Sequence, residues 1–127
     1  MSMDKREMKR LCYYEALEKS VISVEMVLNR LNQIESKDGI FDKDILLKDK
    51  TKTILDLELS LAGLCILLRK MAENLFIQVT TELRRDMNSI IHSNRFEYDQ
   101  EVIVYSQKGR EEVDLKALLA FCHDKLK

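Results

Sequence analysis

Between Asp4 and Glu35 the apolar residues Tyr14, Leu17, Val21, Val24, Leu28 and Leu31 recur at alternating spacings of three and four. Side chains three and four apart share one face of an α-helix, so this spacing draws a seam that a long helix buries by packing along a partner. A chain of 127 residues with no proline and three glycines has few places to interrupt such helices. Charged residues at 34% and apolar residues at 46% fit amphipathic helices around one core better than a loop-rich sandwich. The expected fold class is therefore all-α, a four- to five-helix up-and-down bundle in which residues 1–127 form a single domain.

The first connection is expected at Ser36 to Asp44, where charge and Gly39 break the period. A second helix follows over about Ile45 to Met71. Its run ILDLELSLAGLCILL, Ile54 to Leu68, is apolar nearly all round and predicts a helix surrounded by others at the centre of the bundle. No Pro or Gly marks its end. Asn74 is the candidate N-cap for a break near Ala72 to Leu75, with one bent helix as the alternative. From Leu75 to His92 the residues Leu75, Phe76, Val79, Leu83, Met87 and Ile90 share one side. FEYDQEVIVY, Phe96 to Tyr105, then reads as a short hairpin or extended excursion, and SQKG, Ser106 to Gly109, as a turn. Asp114 is the expected N-cap of a last helix, Leu115 to about Leu126, with Val113 and Leu118 as a hydrophobic staple.

A formal charge of −1 argues against nucleic-acid binding through a broad basic surface and leaves room for a local basic site. Cys12, Cys65 and Cys122 form no C-x-x-C pair and read as core thiols of a reducing compartment. The opening MSMDKREMKRLC has no apolar run, so the expected location is the cytoplasm, away from any membrane. His123 has no second His or Cys at ligand spacing, and neither a metal nor a cofactor is expected.

The side of the third helical segment opposite its apolar face carries the candidate chemistry. Arg85 and His92, seven residues apart, fall within about 20° of each other around a helix and about 10 Å apart along it. An arginine fork binds phosphate oxygens, and histidine takes up and returns a proton near neutrality. Those two tasks suffice to cleave RNA without a metal, because the ribose 2′-OH supplies the nucleophile. Asn88 and Ser89 lie between them as substrate-binding candidates, and Arg84 and Arg95, with Lys108 and Arg110, are candidates for a basic rim. Tyr98 and Tyr105 are read as packing the excursion against the bundle rather than stacking on bases. Two copies of the helix about a two-fold axis would bring both Arg–His pairs into one cleft.

RDMNSIIH, Arg85 to His92, resembles the hallmark of the HEPN domains: Arg, four to six residues, then His, at the end of the third helix of a small bundle. A long first helix, an apolar second, IIHSNRFEYDQEVIVY leaving the motif and a C-terminal helix in EEVDLKALLAFCHDKLK follow the HEPN order over nearly the whole chain. The resemblance implies a bundle of HEPN type and a metal-independent endoribonuclease, a toxin or phage-defence effector, with Arg85 and His92 as its catalytic pair. It also implies a homodimer through the motif-bearing helix, an RNA substrate, and a cognate antitoxin or regulatory protein as partner. The alternative is a catalytically degenerate bundle that binds protein or RNA through the same face. It is motivated by the net charge and by Met87, five residues before His92, where many members carry the arginine.

Overall fold

The computed structural model describes residues 3–36 and 42–127. Among them are four helices and a three-stranded sheet. Helix α1, Lys5–Ser36, buries Leu17, Val21, Val24 and Leu31 of the expected seam, extended by Val27 and Ile34. Tyr14 and Leu28 are half-buried at its margin. Helix α2, Lys43–Leu75, is capped by Asp42, whose carboxylate accepts from the backbone N–H of Asp44 and Ile45. Most of the expected connection, Gly39 included, lies outside the described residues.

Helices α1 and α2 run antiparallel. Their contacts pair early residues of one with late residues of the other: Lys9 with Asn74 at 3.1 Å, Ser23 with Ser60 at 3.4 Å and Arg30 with Asp56 at 3.4 Å. Leu57, Leu61, Leu64, Cys65, Leu68 and Met71 face the core, while Leu55, Leu59 and Ile66 are exposed. Helix α2 is therefore not surrounded as expected. It has 33 residues, and the later helices have 11 each, too short to enclose it.

The break after α2 is real but differently made. Phe76 ends the helix in the left-handed region, at φ 58° and ψ 31°, and is 80% exposed. Asn74 stays inside α2, donating to the Lys70 carbonyl and accepting from Lys9. Residues 77–80 are non-helical, and Thr80 caps α3, Thr81–Ile91, by accepting from the Leu83 N–H at 3.2 Å. Leu75 and Phe76 thus do not belong to the apolar side of α3.

The expected excursion is a full antiparallel sheet: β1 Arg95–Asp99, β2 Glu101–Ser106 and β3 Gly109–Val113, in that order. Val102, Val104 and Val113 point inward, as alternation along strands requires. The outer strands carry Arg95, Glu97, Arg110 and Glu112, charges that discourage pairing with another sheet edge. Gln107 and Lys108 make the reversal between β2 and β3, where Ser106 pairs with Gly109. Gly109 adopts φ 109°, which an L side chain rarely accepts. Asp114 caps α4, Leu115–Lys125, through a 3.0 Å bond from the Ala117 N–H. His123 ties α4 to α1 by a 2.6 Å contact with Glu25.

One cluster of buried side chains runs through all four helices, β2 and β3. Cys65 and Cys122 belong to it, and burial pushes each thiol up to about 12. Cys12 is exposed rather than in the core, because it lies about 200° around α1 from Tyr14 and so misses the seam. No helix among the described residues is long and apolar enough to cross a membrane.

Candidate functional site

Helix α3 is split by its sequence into two chemically distinct sides. Leu83, Met87 and Ile90 are buried in the core. Arg84, Arg85, Asn88, Ser89 and His92 line an open cleft of about 950 Å³ whose far wall is Ser106 to Glu111, the end of β2, the turn and the start of β3. Thr81 and Asn94 complete it. Seven of the eight expected site residues, Lys108 and Arg110 among them, therefore meet in one place. Met87 is 3% exposed, so the position five residues before His92 points away from the cleft.

His92 is the C-cap of α3, and its N–H donates to the Asn88 carbonyl at 3.0 Å. Ser93 turns back onto the Ile90 carbonyl, and the Asn94 N–H donates to the Tyr105 carbonyl at 2.8 Å. His92 is thus held between the end of a helix and the start of a sheet.

Arg95 does not join the cleft. It alternates with Phe96 along β1, pairs with Glu97, and lies over the Tyr105 ring at 4.8 Å from its centre. Tyr105 also donates to Glu97 at 3.4 Å, so its polar end is already engaged. Tyr98 packs half-buried against the core, and burial, with Glu35 and Asp99 near it, raises its phenol above the usual range.

Glu111 was not among the expected site residues. Its carboxylate reaches across the cleft, with one oxygen 3.2 Å from Arg85 Nε and the other accepting from the Ser89 hydroxyl. The signal in the sequence was alternation. Gly109, Glu111 and Val113 share the inner side of β3, so Glu111 turns inward and needs a partner. Which strand register applies decides that, and REEV alone does not.

Asp86, beside Arg85, is only 8% exposed. Its Oδ2 accepts from the Asp114 N–H at 3.3 Å, joining α3 to the cap of α4. Burial raises its carboxyl above the ordinary value, and the bond from Asp114 partly offsets this.

Four cations line the cleft, Arg84, Arg85, Lys108 and Arg110, of which Arg85 is paired with Glu111 and Arg110 with Glu112 at 3.3 Å, and His92 adds an imidazole. Such a surface suits a phosphodiester, with amide and hydroxyl groups at hand for sugar or base. No family model, curated protein or solved structure matches this chain. Among the described residues no group of three or more His, Cys, Asp or Glu is placed to hold a metal ion.

Proposed function

We propose that the chain is a metal-independent endoribonuclease of HEPN type, a toxin or defence effector that cleaves RNA by attack of the ribose 2′-OH. The observation that carries the reading is the presence of Arg85 and His92 on one wall of a cleft rimmed with cations. In this mechanism His92 takes the proton from the 2′-OH as the oxygen attacks phosphorus and returns a proton to the departing 5′ oxygen. Arg85 stabilises the charge on the pentavalent phosphorus. Arg84 and Asn88 hold the phosphate or its neighbours, and Lys108 and Arg110 draw the strand to the cleft. A homodimer through α3 would complement the two groups, which are spread along one helix.

Incubation of the purified protein with defined transcripts in EDTA tests this. Cleavage that persists in EDTA, leaves 2′,3′-cyclic phosphate ends and falls by about 10²- to 10⁴-fold in His92→Ala supports it. Cleavage by His92→Ala at the wild-type rate removes His92 from the mechanism. A second reading, a module that binds protein or RNA without catalysis, is favoured by the ion pair that offsets the charge of Arg85 with Glu111. It expects no cleavage by either protein, with RNA or a protein partner held on the same face.

A further inference from the structure

We infer that Glu111 is the positioning residue for Arg85: from β3 its carboxylate pairs with the guanidinium on the Nε side and leaves the two terminal nitrogens for a substrate phosphate. The inference rests on the nuclease reading above and assigns a task to a residue which that mechanism does not use.

Arg85 needs an anchor. Its side chain is 70% exposed, and Glu111 is its one ion-pair partner among the described residues. A long side chain left in water samples many rotamers, and an arginine that must meet developing charge in the transition state loses effect when misplaced by even an ångström. Glu111 is a suitable anchor because it is itself fixed. Its backbone pairs with Val104 in the centre strand, its side chain is 32% exposed, and Ser89 donates to its second oxygen.

The side of the guanidinium that faces the carboxylate is the telling detail. A guanidinium offers its donors along edges, and a carboxylate facing Nε leaves both Nη groups for an incoming anion. Ser89 is recruited to the same end. Its hydroxyl lies 2.9 Å from the Arg85 carbonyl as well as beside Glu111, but it has one proton to give. The ionised carboxylate is the stronger acceptor and takes it. Ser89 therefore steadies Glu111 from within the cleft.

A carboxylate so close to an incoming phosphate opposes binding while it orients the arginine. Glu111→Gln is therefore expected to lower kcat by about 10- to 100-fold without raising KM. An exposed ion pair adds little to stability, so the variant stays folded, as circular dichroism would verify. Nitrogen-15 NMR of the folded protein reads the anchor directly. The Arg85 Nε resonance, assigned by its disappearance in Arg85→Lys, is expected to shift between the wild type and Glu111→Gln as the ion pair is lost. The same resonance in both proteins overturns the proposal, as does wild-type kcat in Glu111→Gln. A wild type that cleaves no RNA removes the nuclease reading instead, and the arginine resonance then decides whether Glu111 holds Arg85.

Discussion

Burial makes the Asp86 carboxyl harder to ionise in the folded chain than in the unfolded one. A group whose folded pKa is raised contributes stability below its unfolded value, about 3.9 for aspartate, and loses it as pH rises through the folded value. At pH 7 the burial of the Asp86 carboxyl is therefore a cost. Asp86→Asn keeps an oxygen for the Asp114 N–H and carries no charge, so it is expected to melt at a higher temperature than wild type at pH 7. The gap is expected to close as pH falls below the carboxylate range, and a variant less stable at pH 7 contradicts this account. At this scale the candidate site was legible where a single helix decides it. One rotation of 100° per residue places Arg85, Asn88, Ser89 and His92 together, and α3 obeys it. Glu111 and Arg95 depended instead on which side of a strand each faces, and no local rule set that.

Among the elements, α1 was legible because its seam has one period from end to end, and α4 because Asp114 and its staple mark the start. The junction of α2 and α3 was not, because the residue that stops α2 is a phenylalanine. A left-handed conformation costs an L residue about 1–2 kcal/mol, and glycine or asparagine is the usual occupant of a helix end of this kind. With Phe76 largely in water, few contacts offset that strain. Phe76→Gly is expected to raise stability by about 0.5–1 kcal/mol, the relief of strain less the extra freedom glycine gives the unfolded chain. A urea midpoint that does not increase would show that Phe76 packs to advantage. The true start signal was Thr80, a good cap in a stretch that also offered Asn74. The sheet was read as a shorter excursion because β3 has little apolar character, with Val113 as its one buried side chain.

For the whole molecule, the helical class followed from composition and period, but the degree of enclosure did not. A sequence shows how apolar α2 is without showing that its later partners are short. The resulting core is continuous, and that is testable through its thiols. Cys65 and Cys122 are buried in α2 and α4, and Cys12 is exposed on α1. A thiol reagent is expected to label one cysteine of the native protein quickly and the other two at the rate of global opening, together. Separate slow phases for Cys65 and Cys122 would mean that α4 opens without α2.

The two walls of the cleft have different origins in the chain. One is a helix held at both ends, by Thr80 and by the turn onto the sheet; the other is a reversal of two residues, Gln107 and Lys108, closed by Gly109. A hairpin tip tolerates insertion far better than a helix whose reverse side is core. Descendants of such a chain are free to lengthen or recharge the tip, changing which molecules enter, while the face that carries Arg85 and His92 is inherited intact.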